Sequence, residues 1–135
     1  MFRILILVIK ILQVYSSVVD DDDLSIFGIP LAFHDTLWYP DSGASHHLTT
    51  DITNLSTKST CTGSDIITIG NGTCLHIQNI GYANCVVPHS CVKFILNNLL
   101  HALAITKNLL SVSQFAKENN VFFQFHSDHC CVKNR

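Results

Sequence analysis

The stretch Trp38-Tyr39-Pro40-Asp41-Ser42-Gly43-Ala44-Ser45 decides how the rest of this sequence is interpreted. Residues 37–39 are apolar and aromatic, which predicts a strand that delivers the next residues to a core. Asp41-Ser42-Gly43 predicts a turn, because all three residue types favour turn conformations. Gly43 permits a tight backbone turn and the close approach of another chain. Alone, the tripeptide indicates an ordinary turn, although a carboxylate held on such a turn is also placed to activate water.

Downstream of this turn, short apolar runs alternate with turn residues. Residues 66–69 form a β-branched run that ends at Gly70-Asn71-Gly72, where an Asn-Gly pair accommodates positive φ and predicts a hairpin. In residues 111–119, Val112, Phe115 and Ala116 have helical spacing. The remaining apolar runs that we assign to strands are residues 75–80, 83–87, 92–96, 99–104, 121–125 and 130–133. Many short strands with one short helix predict an all-β barrel or sandwich.

Composition bounds the class of protein. The chain has 135 residues, of which 47% are apolar and 13% charged, so we expect one domain with a hydrophobic core. The formal net charge is −2, which offers no basic excess to neutralise a phosphate backbone. We therefore expect no direct nucleic-acid binding.

The N-terminal part differs from the rest. Residues 1–19 form an apolar leader that predicts a helix, residues 20–36 form an acidic linker, and residues 37–135 form the domain. The leader either has no targeting role or acts as a signal peptide or short anchor. The first alternative predicts a cytoplasmic protein. The second predicts a secretory or membrane-associated one, in which Asn54 and Asn71 would be glycosylation acceptors.

The cysteines and histidines define no recognisable framework. The six cysteines are at positions 61, 74, 85, 91, 130 and 131, and no pair has C-x-x-C spacing. We predict free, mostly buried thiols, with a small secreted disulfide protein as the alternative. His46 and His47 could be combined in a zinc site with Cys61, with Cys74, or with the group His126, Asp128, His129 and Cys130. The spacing does not favour such a site, and we predict no metal site. Ser45 lacks a nucleophile motif that would indicate a serine triad.

Several motifs occur in an order that is far more specific than Asp-Ser-Gly. They are residues 38–49, Ile69-Gly70-Asn71-Gly72, Ile80-Gly81, Leu99-Leu100-His101 and residues 106–117. In this order the chain resembles, from about residue 36 to 135, the protease region of copia-type LTR retrotransposon Gag-Pol polyproteins. The resemblance implies a retropepsin-like closed β-barrel with one short helix near residues 111–119.

The resemblance also implies a function. In that family each subunit supplies one catalytic Asp, so the active enzyme is a homodimer, and Asp41 would be that residue here. Ser42, Gly43 and Ala44 would support the catalytic turn. Gly70, Asn71 and Gly72 would form the flap that closes over substrate, although a plain hairpin turn remains the alternative. Residues 108–111 would pass behind the catalytic turn. The expected substrate is the Gag-Pol polypeptide, and no cofactor is expected.

The sequence departs from the family pattern in the local turn after His101 and at the C-terminal end, and the predicted catalytic turn is intact. Ala102-Leu103-Ala104 stands where the family usually has a proline, and family polyproteins continue beyond residue 135. We therefore expect a domain that is truncated at its C-terminus. It would be either an active aspartic endopeptidase or a non-catalytic relict β-barrel.

Overall fold

The computed structural model of the chain describes residues 38–62, 64–86, 93–127 and 130–135. The apolar leader, its predicted helix and the acidic linker lie outside these residues. The strands are β1 (Trp38–Asp41), β2 (Leu48–Thr49), β3 (Thr57–Thr60), β4 (Ile66–Thr68), β5 (Cys74–His76), β6 (Asn79–Val86), β7 (Lys93–His101), β8 (Asn108–Ser111), β9 (Val121–Phe125) and β10 (Cys130–Asn134). A 3-10 helix spans Ile52–Asn54, and the helix α1 spans Val112–Asn119.

Six strands form one mixed sheet in the order β1-β8-β2-β7-β6-β3. Strand β1 pairs with β8 in parallel, and β2 pairs with β7 in parallel, whereas the β2–β8, β6–β7 and β3–β6 pairs are antiparallel. The hairpins β4–β5 and β9–β10 form separate two-stranded sheets. The predicted mostly-β fold with one short helix is confirmed.

The prediction of a closed barrel is wrong for the part of the chain that the structure describes. Closure requires that hydrogen bonds continue around the sheet without an edge. Here β1 and β3 end the six-stranded sheet, and neither hairpin joins its ladder to them. The sheet is therefore open, with β1 as the edge strand that carries Asp41.

The core lies between the sheet and α1. Phe115 of α1 is fully buried, and its ring lies 5.0 Å from that of Phe94 on β7 and 5.5 Å from that of Phe123 on β9. These tilted and edge-on contacts are the arrangements that aromatic rings prefer. Trp38 is buried in the same cluster, so the start of β1 is anchored in the core.

Strand β7 replaces two shorter strands that the sequence predicted. The predicted strands are residues 92–96 and 99–104, with Asn97-Asn98 between them. The observed strand is continuous from Lys93 to His101. Asn98 has a left-handed φ of 49°, and the pairing register with β6 shifts between Gly81 and Ala83. A β-bulge absorbs the extra residue, and inward-facing side chains resume at Leu99.

The helix α1 lies within the predicted segment 111–119 and is capped at both ends. The Ser111 hydroxyl accepts a hydrogen bond from the backbone N–H of Gln114 at 3.3 Å, as an N-cap does. Asn120 ends the helix in the left-handed conformation, with φ 52°. Asn119 binds both the N–H and the carbonyl of Ile95, at 2.8 and 2.9 Å, and so ties the helix end to β7.

Of the six cysteines, the structure describes the side chains of Cys61 and Cys74. Cys61 and Cys74 are free thiols, and Cys74 is exposed rather than buried. Within residues 38–62, 64–86, 93–127 and 130–135, no helix has the length and apolar character needed to cross a membrane.

Candidate active site

Asp41 is the last residue of β1, at the edge of the sheet. Its Oδ1 accepts a hydrogen bond from the backbone N–H of Gly43 at 2.8 Å, which closes an Asx turn. The Asp41 side chain is half-buried, whereas Ser42 and Gly43 are exposed. The turn predicted from Asp41-Ser42-Gly43 is confirmed, and the carboxylate is held in a defined orientation.

Ser111 supports this turn from the neighbouring strand. It lies opposite Asp41 in the parallel register of β1 and β8. Its hydroxyl donates a hydrogen bond to the Ala44 carbonyl at 2.6 Å, and the residue is fully buried. Residues 108–111 therefore lie directly beside the predicted catalytic turn.

A cleft of about 370 Å³ is lined by the turn after Asp41 and by the β4–β5 hairpin. Of the predicted site residues, Asp41, Gly43, Ala44 and Gly70 line it. Ser42, Asn71 and Gly72 do not belong to its lining. The complete lining is Asp41, Gly43, Ala44, Ser45, His46, Leu48, Ile67, Thr68, Ile69, Gly70, Ala104, Ile105, Thr106, Lys107 and Leu109. The fold thus brings the predicted catalytic turn and the hairpin to one cavity.

The hairpin tip is a three-residue loop. Gly72 donates its N–H to the Ile69 carbonyl at 2.8 Å, and Ile69 donates its N–H to the Thr73 carbonyl at 3.0 Å. The Asn71 side chain accepts the N–H of Thr73 at 2.9 Å. Gly72 has φ +85°, the left-handed conformation that follows the turn in such loops. The predicted hairpin is confirmed, and of the Asn-Gly pair only the glycine has positive φ.

Sequence reasoning missed one wall of the cleft. Residues 104–107 follow β7 and line the same cleft as Asp41. The Lys107 ammonium lies 4.8 Å from the centre of the Tyr39 ring, a cation–π contact that fixes this segment against β1. No periodic pattern marks these residues, since they form a connection between two strands.

His46 and His47 have different environments although they are neighbours in the chain. His46 lines the cleft, and its Nδ1 lies 2.9 Å from the Ser45 hydroxyl. His47 is completely buried. Its Nδ1 accepts the backbone N–H of Ser111 at 3.0 Å, and its Nε2 lies 3.5 Å from Oε2 of Glu118. In the described part of the chain, no three His, Cys, Asp or Glu side chains are grouped to hold a metal ion.

Burial lowers the pKa of His47 from 6.5 to about 4, because the charged imidazolium loses its hydration. Glu118 opposes this shift, and His46 adds to it. The unfolded chain therefore binds more protons than the folded chain between these two pH values. We expect the free energy of unfolding to be at its full value above about pH 6.5. On acidification to pH 4 it should fall by about 3 kcal/mol through this residue.

Urea unfolding across this pH range measures the effect. A His47→Asn variant removes the titrating group while keeping an acceptor near Nδ1. Its curve of unfolding free energy against pH should be flatter than that of the wild type. Parallel curves for the two proteins would show that His47 does not cause the acid sensitivity.

Comparison with known proteins identifies the family to which this chain belongs. Residues 38–120 match the family described as "Pol polyprotein, beta-barrel domain". The chain therefore belongs to this family and derives from the Pol region of a retrotransposon.

Two curated relatives from Arabidopsis thaliana are similar to this chain. They are the retrovirus-related Pol polyproteins from transposons RE2 and RE1, 39% and 34% identical over 97 residues. The match covers 72% of this chain and 6% of each relative, so the chain spans a small part of their length. No solved structure matches the chain.

Proposed function

We propose that this domain is an aspartic endopeptidase that processes a retrotransposon Gag-Pol polyprotein, with Asp41 as its catalytic carboxylate. The observation that supports this most is the shared cleft, in which Asp41 faces the β4–β5 hairpin. A water-activating carboxylate needs a fixed orientation and access to substrate. The Asx turn supplies the orientation, and the cleft supplies the access.

The active form in this proposal is a homodimer. Asp41 is the one carboxylate among the residues that line the cleft. Aspartic peptidase chemistry uses two carboxylates that share a proton, so a second copy must supply the other. A twofold axis beside the edge strand β1 would bring the two turns together, since a twofold interface uses the same surface of both copies.

The reaction follows from the shared proton. The ionised carboxylate takes a proton from water as the oxygen attacks the scissile carbonyl carbon, and the protonated carboxylate donates to the carbonyl oxygen. Collapse of the tetrahedral intermediate breaks the C–N bond, and the amine leaves with a proton from the pair. The two carboxylates titrate together, which favours activity at mildly acidic pH. No cofactor takes part.

The cleft wall suits an extended peptide with apolar side chains. The cleft that contains Asp41 has apolar surface from Ile67, Ile69, Ile105 and Leu109. Gly70 is at the tip of the hairpin, where the absence of a side chain permits close approach of a peptide backbone. In this proposal the hairpin is a flap that covers the bound substrate.

A cleavage assay at several chain concentrations tests the proposal. Purified full-length chain should cleave a panel of fluorogenic peptides from Gag-Pol junctions, and a statine-type transition-state analogue should inhibit it. Below the dimer dissociation constant, the rate should rise with the square of chain concentration. A rate strictly proportional to concentration would contradict the dimer. Absence of cleavage at concentrations where sedimentation shows a dimer would identify a non-catalytic relict.

A further inference from the structure

His47 connects three elements directly behind the catalytic turn. Its backbone carbonyl accepts the N–H of Leu100 on β7 at 3.0 Å. Its ring accepts the N–H of Ser111, at the junction of β8 and α1, and faces Glu118 on α1. The side chain is 0% exposed, so it has no direct access to substrate. A residue of this kind acts on catalysis only through its neighbours.

The path from His47 to the catalytic turn is short. The backbone N–H of Ser111 donates a hydrogen bond to His47 Nδ1. The Ser111 hydroxyl donates a hydrogen bond to the Ala44 carbonyl oxygen at 2.6 Å. Ser111 is also the register partner of Asp41. The position of Ser111 therefore determines where both ends of the catalytic turn lie.

We propose that His47, as a neutral imidazole protonated on Nε2, is the residue that positions Ser111 and through it the catalytic turn. The catalytic consequence of this role rests on the proposed peptidase function, but the positioning itself does not.

The neutral form follows from hydrogen-bond geometry. Nδ1 accepts a backbone N–H, which a protonated Nδ1 cannot do. The ring proton is therefore on Nε2, which lies 3.5 Å from Glu118 Oε2 and makes no hydrogen bond within the described residues. The Glu118 carboxylate is held in turn by the N–H of Asn97 at 3.1 Å and by the Gln114 amide at 2.8 Å. In the described part of the chain, the charged or titratable groups that act on the ring are Glu118 from α1 and His46 from the preceding residue.

Protonation of Nδ1 would break this arrangement. Two donors, the ring N–H and the Ser111 N–H, would then face each other within a buried site. Ser111 would have to move, and the Ala44 carbonyl would lose its fixed partner. The turn is therefore secured only while the imidazole stays neutral.

The first experiment uses the wild-type full-length chain and requires no cleavage. Long-range ¹⁵N–¹H correlation spectra report which ring nitrogen carries the proton. We expect His47 to show the Nε2–H tautomer from neutral pH to about pH 5. A doubly protonated His47 ring at about pH 6, or the Nδ1–H tautomer, would overturn the proposal.

The second experiment separates positioning from general stability. His47→Leu removes the acceptor at similar volume, and His47→Asn restores an acceptor near the Nδ1 position. His101→Leu is the matched control, since His101 is also buried and its Nδ1 lies 3.1 Å from Asn79 Oδ1, away from the catalytic turn. The amide resonance of Gly43 is the reporter, because this N–H binds Asp41 directly.

The expected results distinguish the possible roles. His47→Leu should shift the Gly43 resonance more than His101→Leu does, and His47→Asn should return it toward its wild-type position. Where cleavage is measurable, His47→Leu should lower kcat by about 10²-fold with little change in KM. An unchanged Gly43 resonance in folded His47→Leu would refute positioning. If His47→Leu does not fold, the tautomer measurement decides. If the wild type does not cleave, the peptidase proposal fails while both spectroscopic tests of His47 still apply.

Discussion

Replacement of Asp41 by asparagine should abolish peptide cleavage and leave the fold intact. Asparagine has the same shape, and its Oδ1 can still accept the Gly43 N–H that closes the turn at 2.8 Å. The amide cannot take a proton from water at ordinary pH, so general base catalysis is lost. Since such catalysis contributes about 10²–10⁴-fold, we expect a fall in kcat of at least that size. Peptide cleavage followed by mass spectrometry measures it.

Asp51→Asn is the matched control for this substitution. Asp51 also closes an Asx turn, with Oδ1 accepting the Thr53 N–H at 2.8 Å, but it does not line the cleft. Its asparagine variant should cleave at close to the wild-type rate. Undiminished cleavage by Asp41→Asn would show that Asp41 is not the catalytic residue.

Mixing Asp41→Asn with the wild type extends the test to the dimer. Consider an equal mixture of the two chains that exchange freely, at concentrations where all chains are dimeric. A quarter of the dimers then carry Asp41 in both subunits. The activity of a fixed amount of wild type should then fall to about half. A monomeric enzyme would be unaffected by the added variant.

Gly81→Ala should destabilise the domain by about 3 kcal/mol, the upper end of what overpacking costs. Gly81 lies on β6 opposite Lys58 of β3. An added Cβ would collide with the Thr57 carbonyl oxygen and would lie 2.9 Å from the Leu55 Cδ2. The carbonyl belongs to the backbone, which cannot rotate away as a flexible side chain can. Either β3 separates from β6, or β6 shifts against its long pairing with β7.

Urea unfolding and hydrogen exchange measure this effect, and Gly72→Ala provides the comparison. A Cβ at Gly72 meets nothing within 4 Å, but φ is +85°, so only the backbone conformation carries a cost of about 1 kcal/mol. We expect faster exchange in residues 57–60 in Gly81→Ala and no such change in Gly72→Ala. If Gly81→Ala lowers the free energy of unfolding by less than Gly72→Ala does, β3 adapts readily to the added methyl group.

The features that could be predicted from the sequence are those with local causes. Asp41-Ser42-Gly43 forms a turn through contacts between residues two apart. The 70–72 loop needs a glycine with positive φ, and the helix after Ser111 has its cap within three residues. Such signals act in any context, because the atoms involved are always close together in the chain.

The predictions that failed concern long-range pairing. The closed barrel was inferred from family resemblance, but edge-to-edge closure depends on where distant strands meet, and here β1 and β3 remain edges. The sequence predicted separate strands at 92–96 and 99–104, yet the neighbouring strand β6 holds β7 continuous through Asn97-Asn98 around a bulge. Pairing between strands overrides the local preference of two asparagines.

By itself, the sequence determined the retrotransposon Pol family and the Asp41-Ser42-Gly43 turn, because ordered motifs and short-range hydrogen bonds are properties of the chain alone. Only the tertiary structure decided which His of the pair His46-His47 is buried, and that residues 104–107 form a wall of the cleft. It also placed Ser111 behind Ala44, a contact between residues 67 apart. The physical reason is that burial and cavity shape depend on side chains from many separate strands, and these come together only when the sheet forms.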